Sequence, residues 1–111
     1  MADCIFCKIA SGEIEGDVVH QDEHVTAFRD LNPQAPTHVL LIPNRHVASI
    51  DELDDGELSF RLLRAARQVA QDEKLDNGWR LVTNVGPDSG QTVFHLHWHL
   101  LGGRQMGWPP G

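Results

Sequence analysis

Apolar and imidazole side chains alternate without a break along Phe94-His95-Leu96-His97-Trp98-His99-Leu100-Leu101. Successive strand residues point to opposite faces of a sheet. A strand over 94–101 is therefore expected, with His95, His97 and His99 on one face. Phe94, Leu96, Trp98 and Leu100 then point the other way, where they can pack under a helix. Between 54 and 73 the period changes. Leu58, Leu62, Ala65, Ala66 and Val69 recur every three or four residues, while Arg61, Arg64 and Gln68 fall elsewhere. Asp54 or Asp55 supplies an N-cap and Asp76-Asn77-Gly78 a stop, which predicts one long helix. Shorter runs predict the other strands: 18–21 and 24–29 about a turn at Gln21-Asp22-Glu23, a buried strand at 38–43, and another at 79–84. Prolines keep Asp30-Leu31-Asn32-Pro33-Gln34-Ala35-Pro36 irregular, and His46 falls in a loop. Gly86-Pro87-Asp88-Ser89-Gly90-Gln91 is the turn that delivers the chain into the histidine strand. Strands outnumber helices and the links are short, which describes an α+β fold.

With 111 residues at 41% hydrophobic composition, a single domain spanning 1–111 with one core is expected. The net charge is −7 and the basic residues are dispersed, which disfavours generic binding to nucleic acid or to an anionic membrane. A small anionic ligand stays compatible, because backbone amides and imidazoles hold phosphate without a basic surface. No apolar run is long enough to span a bilayer and no signal peptide is legible, so a cytoplasmic protein is expected. Cys4 and Cys7 are too close for a disulfide framework. Their Cys-x-x-Cys spacing offers a redox dithiol, half of a metal site, or two small core residues. The redox reading expects a preceding strand, which the chain lacks. Half a zinc site needs two more ligands, and spare histidines exist.

The histidine row has its own geometry. Same-face neighbours on a strand are about 6.6 Å apart, which puts His95 and His99 about 13 Å from each other at the backbone. Zinc–imidazole bonds of about 2.0–2.1 Å with tetrahedral angles let two adjacent histidines share a metal, but not all three. A neutral imidazole is a competent nucleophile at neutral pH, and flanking imidazoles can orient it and pass protons. Incidental histidines on a solvent-facing strand would leave the alternation unexplained, since imidazole packs no better than Val or Leu.

The run His95-Leu96-His97-Trp98-His99-Leu100-Leu101 matches the His-φ-His-φ-His-φ-φ signature of the histidine triad (HIT) superfamily. Asn32-Pro33-Gln34-Ala35-Pro36-Thr37-His38, Leu101-Gly102-Gly103-Arg104-Gln105-Met106 and the closing Trp108-Pro109-Pro110-Gly111 resemble its Hint branch, the histidine triad nucleotide-binding proteins. The resemblance covers the whole chain. Trp98 departs from it, standing where the family more often carries an aliphatic residue; pointing away from the histidines, it implies a change of packing.

That resemblance implies a HIT-like fold: an antiparallel sheet of about five strands, one long helix and a short N-terminal helix. It also implies a homodimer whose two sheets join into one. Each subunit is expected to bind purine nucleoside monophosphates and to hydrolyse the P–N bond of nucleoside 5′-phosphoramidates through a nucleotidyl-histidine intermediate, with no cofactor required for the chemistry. His97 matches the nucleophile, His99 the residue that contacts phosphate and assists leaving-group protonation, and His38 a supporting histidine. Phe6, Ile9, Ile14, Phe28 and Leu31 match the apolar base pocket, and Asp30 the ribose-binding carboxylate. Gly90, Gln91, Thr92 and Val93, with Asn84, are placed to hold phosphate oxygens. Trp108, in the tail 102–111, is implied to reach the neighbouring subunit's site at the dimer interface. Relatives that open with Cys-x-x-Cys bind zinc with those cysteines and two histidines, which implies a structural zinc on Cys4, Cys7, His46 and His95. Two other functions fit the same motifs: hydrolysis of dinucleoside polyphosphates as in the Fhit branch, against which the tail argues, and nucleotide-dependent regulation with negligible turnover.

Overall fold

The computed structural model describes residues 3–111. In chain order its elements are α1 (Ile5–Ser11), β1 (Val18–Gln21), β2 (Val25–Arg29), β3 (Thr37–Pro43), α2 (Gly56–Asp72), β4 (Trp79–Thr83) and β5 (Trp98–Gly102), with short 3-10 turns at Ile50–Glu52 and Pro87–Ser89. The strands form one antiparallel sheet in the order β1-β2-β3-β5-β4. Every residue of the central β3 is buried, because the sheet is covered on both sides there.

Strand alternation divides the interior in two. Val39 and Leu41 of β3, with Val25 and Ala27 of β2, pack under Leu58, Leu62, Ala65, Ala66 and Val69 of α2. Leu40 and Ile42 point to the opposite face, where they meet Phe6 and Phe28, flanked by Ile9 and Val93. Leu62 is wholly buried, which for a side chain of that size stabilises the fold by ~1.5–3 kcal/mol. Asp55 caps α2 by accepting from the Leu58 N–H at 3.0 Å. At the other end of α2, Arg29 grips Glu73 with both guanidinium nitrogens, at 2.7 and 3.0 Å, and ties the end of β2 to the helix.

The Cys-x-x-Cys motif starts α1. The Cys4 sulfur is the N-cap acceptor for the Cys7 N–H at 3.4 Å, and Gly12 ends the helix at φ 82. That left-handed cap is a conformation glycine adopts without steric cost.

The histidine strand is shorter than its pattern predicts. β5 begins at Trp98, not at 94, so His95 and His97 lie on the approach to the strand. Ahead of Trp98 the ladder is replaced by other partners: the Leu96 N–H donates to the Val47 carbonyl at 2.6 Å and the His95 ring to the Pro43 carbonyl at 2.8 Å. The alternation of faces persists, since Leu96, Trp98 and Leu100 all enter the core under α2. Phe94 does not follow them; it is 58% exposed, having left the sheet altogether. Trp98 points away from the histidines as expected. Its indole N–H has no partner in that core, a cost of ~1–3 kcal/mol set against the large apolar area of the ring. Elsewhere β2, β3, β4 and α2 begin or end within two residues of their expected bounds.

Candidate functional site

α1 carries Cys4 and Cys7 to the face opposite α2, where they meet His46, from the loop after β3, and His95. The Cys4 and Cys7 sulfurs lie 3.3 and 3.4 Å from His95 Nδ1, and Cys7 Sγ lies 3.5 Å from His46 Nδ1. All four ligand atoms fall within 4.8 Å of one another. A tetrahedral zinc with bonds of ~2.3 Å to sulfur and ~2.0–2.1 Å to nitrogen has sulfur–nitrogen edges of about 3.6 Å, so the donors stand at the spacing such an ion requires. The His95 Nε2–H is spent on the Pro43 carbonyl, which leaves the lone pair on Nδ1, the atom facing both sulfurs. Burial pushes His95 down to about 4, helped by His46 and His97 and opposed by the Pro43 carbonyl. Burial also raises the Cys7 thiol, and the Cys4 sulfur beside it adds to the rise. Four closed Cys2His2 donors fit a structural zinc, the group that the resemblance implied.

A second imidazole group adjoins the first through His97. The His97 Nδ1–H donates to the His95 carbonyl at 2.7 Å, so the lone pair of the neutral ring sits on Nε2. Phe6 packs against this ring at 5.1 Å with an interplanar angle of 81°, and the His99 ring is 5.0 Å away. His99 and His38 share a face because β3 and β5 pair antiparallel, with Leu40 opposite His99 and His38 opposite Leu101. The Gln34 N–H donates to His38 Nδ1 at 3.0 Å, so His38 carries its proton on Nε2 and gives it to His99 Nδ1 at 2.9 Å. The His99 proton is then on Nε2. Asp30 Oδ2 lies 3.5 Å from His38 Nε2. Burial, then His97 and His38, push His99 down to about 4, with Asp30 opposing. Burial lowers His38 as well, again against Asp30. Donor atoms of Asp30, His38 and His99 cluster closely enough for a metal, but the Gln34 contact keeps a proton on the His38 nitrogen that an ion would need. His38 and His99 form a hydrogen-bonded pair, with the Asp30 carboxylate beside it.

The remaining candidates fall around these rings. Phe6 and Phe28 meet edge to face at 5.4 Å, with Ile9 and Val93 packed beside them. Ile14 is 37% exposed and Leu31 fully exposed, so both stand outside that cluster. Asp30 Oδ1 accepts from the Asn32 N–H at 2.8 Å. Asn84 is half-buried just beyond β4, Thr92 is exposed, and Gly90 is left-handed at φ 89. The Gln91 side chain turns inward and its N–H donates to the Gly86 carbonyl at 3.3 Å, while the Gly90 N–H donates to the Pro87 carbonyl at 3.0 Å, so neither N–H is left for a ligand. The tail is fastened by Arg80 to the Gly107 carbonyl and by Arg104 to the Gln34 carbonyl, both at 3.0 Å. Trp108 projects from it 83% exposed. Gln34, Pro43 and Val47 reach the site through main-chain groups alone, and no side-chain pattern could have signalled them.

The HIT domain family model matches residues 11–106. The chain is 51% identical over 112 residues to a 14 kDa zinc-binding protein of Zea mays, covering 96% of this chain and 87% of that one. It is 47% identical over 111 residues to an adenylylsulfatase of Arabidopsis thaliana, covering 96% and 76% respectively. The solved structure of a HIT family hydrolase from Legionella pneumophila Philadelphia 1 superposes with a TM-score of 0.95 at 54% identity, covering 98% of this chain and all of that one.

Proposed function

The chain belongs to the HIT domain family, and on that premise we propose that it hydrolyses the P–N bond of purine nucleoside 5′-phosphoramidates. This reading rests chiefly on His97, whose Nδ1–H is committed to the His95 carbonyl so that Nε2 is left as a free nucleophile. Nε2 attacks phosphorus, the P–N bond breaks, and the nitrogen leaves with a proton. The resulting phospho-imidazolium is held through the same Nδ1–H bond. Water then attacks phosphorus, the P–Nε2 bond breaks, and the nucleoside monophosphate departs. Dividing one displacement into two easier ones is the advantage of covalent catalysis.

His99 supplies the leaving-group proton and takes one back from water. Without ligand it is neutral, because burial and two neighbouring imidazoles disfavour its charge. An anionic phosphoramidate beside it reverses that balance, so substrate binding itself loads the acid. The main-chain N–H groups of Thr92 and Val93, the Thr92 hydroxyl and Asn84 receive the non-bridging oxygens, those of Gly90 and Gln91 being spent on the Pro87 and Gly86 carbonyls. The base lies against Phe6, Ile9 and Phe28, with Ile14 and Leu31 closing over it, and Asp30 accepts from the ribose. A zinc on Cys4, Cys7, His46 and His95 supplies a structural tie, since four protein donors fill its shell.

Adenosine 5′-phosphoramidate incubated with the protein is expected to yield AMP, detected by chromatography, with an adenylyl adduct in intact-mass spectra of quenched samples. Release no faster than in buffer would retire the proposal. The adenylylsulfatase relative adds adenosine 5′-phosphosulfate as a second substrate class to assay alongside. Its sulfate leaves without needing a proton.

We also propose that the protein works as a homodimer. β4 is hydrogen-bonded to β5 alone among the described strands. Phe60 and Leu63 of α2 and Trp79 of β4 are exposed at 57%, 49% and 38%. A free edge together with exposed apolar side chains is the kind of surface that a second sheet edge covers, and pairing there would let Trp108 reach the neighbouring site. Light scattering should return twice the chain mass; a monomer at micromolar concentration contradicts it.

A further inference from the structure

Gln91 is 7% exposed, and its amide oxygen and both amide N–H groups are spent inside the protein. Its Oε1 accepts from the Gly86 N–H at 2.9 Å, and its Nε2 donates to the Ala48 carbonyl at 3.0 Å and the Val93 carbonyl at 3.1 Å. One side chain thus ties both ends of the segment 86–93 to each other and to the loop that follows β3. Within the segment, Gly86 and Gly90 take φ of 78 and 89, and the Gln91 N–H returns to the Gly86 carbonyl at 3.3 Å. The N–H groups of Thr92 and Val93 find no main-chain acceptor among the described residues. With the Val93 carbonyl drawn inward, these donors are free for an anion, as in other main-chain nests.

The third tie gives the amide a catalytic consequence. Ala48 follows Val47, whose carbonyl holds the Leu96 N–H at 2.6 Å, and Leu96 lies between His95 and His97. The path from loop donors to nucleophile is therefore short and bonded throughout: residues 92 and 93, the Gln91 amide, residues 47 and 48, Leu96, then His97. We propose that Gln91 is a positioning residue that holds the phosphate-binding N–H groups of residues 92 and 93 in register with His97 Nε2. This deepens the phosphoramidase reading and rests on it. Glutamine suits the position chemically. The site needs one acceptor and two donors at that reach; asparagine is a methylene short, and glutamate would set a lone-pair-bearing oxygen against the two carbonyls that Nε2 now serves.

Misplacing the loop should damage recognition of phosphate and spare recognition of the nucleoside, which binds elsewhere. The test is calorimetric titration of AMP and of adenosine into wild type, Gln91→Glu and Gln91→Ala. Wild type is expected to prefer AMP. Both variants should lose at least tenfold of that preference while adenosine affinity stays within twofold, and phosphoramidate kcat should fall with it. A general loosening of the fold would weaken both ligands alike. If the ratio of AMP to adenosine affinity is unchanged in the variants, or if both ligands weaken together, the positioning role is wrong. Should either chain fail to fold, Gln91→Met fills the same volume without hydrogen bonds, and the same loss of ratio is expected of it. A wild-type protein that binds neither ligand would contradict the nucleotide reading itself, and this inference with it.

Discussion

Replacing His97 by glycine is expected to lower phosphoramidate turnover by at least ~10⁴-fold while AMP affinity changes only a few-fold, the pattern of a lost nucleophile in an otherwise intact site. Affinity survives because the proposed base, ribose and phosphate contacts come from Phe6, Phe28, Asp30 and residues 92 and 93. Turnover does not, because no other ring has both the lone pair and the position. His99 Nδ1 is occupied by the His38 proton and its Nε2 carries its own, and His95 Nδ1 faces the two cysteine sulfurs. Glycine also leaves a ring-sized space beside Phe6. Free imidazole added to the variant should therefore restore part of the activity and accumulate adenylyl-imidazole, a product that a general-base role for His97 would not form. Steady-state rates with and without imidazole, together with the mass of the product, decide the matter. Turnover within tenfold of wild type would remove His97 as the nucleophile.

How far the site could be read in advance depends on which atoms build it. The faces of Leu96, Trp98 and Leu100 were legible because these residues enter the apolar core under α2 while imidazoles occupy the other face, so the period of two shows in the side chains, and α2 was legible because its apolar stripe is long. The first residue of β5 was not. It is set by the carbonyls of Pro43 and Val47, about fifty positions upstream, and carbonyls leave no trace in a side-chain pattern. The same holds for the protonation of each ring. His97, His95 and His38 are oriented by main-chain groups of His95, Pro43 and Gln34, so the pattern could nominate the histidines but not say which nitrogen was free. α1 is only seven residues long and capped by a cysteine, too short for periodicity to reveal; the family resemblance alone implied it. Gln91, in a run of glycine and polar residues, looks like an ordinary surface turn, and only the fold shows that its amide is internal.

Loss of the metal is expected to be the second large effect, and it should appear in both stability and rate. An ion that binds the folded chain at a thousand times its dissociation constant adds ~4 kcal/mol, a large share of the ~5–15 kcal/mol typical of a whole domain. For a chain of this size that corresponds to a melting temperature lower by roughly 15 °C. Chelator treatment and the double substitution Cys4→Ser, Cys7→Ser should both produce it in scanning calorimetry. The effect has a definite pH sign. Loading requires thiolates and a neutral His95, so acid releases the ion. In the metal-free chain burial holds His95 down to about 4 against its ordinary 6.5. Between those values the unfolded chain takes up a proton that the folded chain refuses, so stability falls as pH drops through that window. The rate should suffer as well, because His95 offers its Nδ1 to the metal site and its carbonyl to His97. Slackening the ligand end frees the carbonyl that aims the nucleophile, so kcat is expected to fall more than AMP affinity. A chain purified without chelator that contains no zinc, or a double serine variant that melts with wild type, would show that these four side chains hold nothing together.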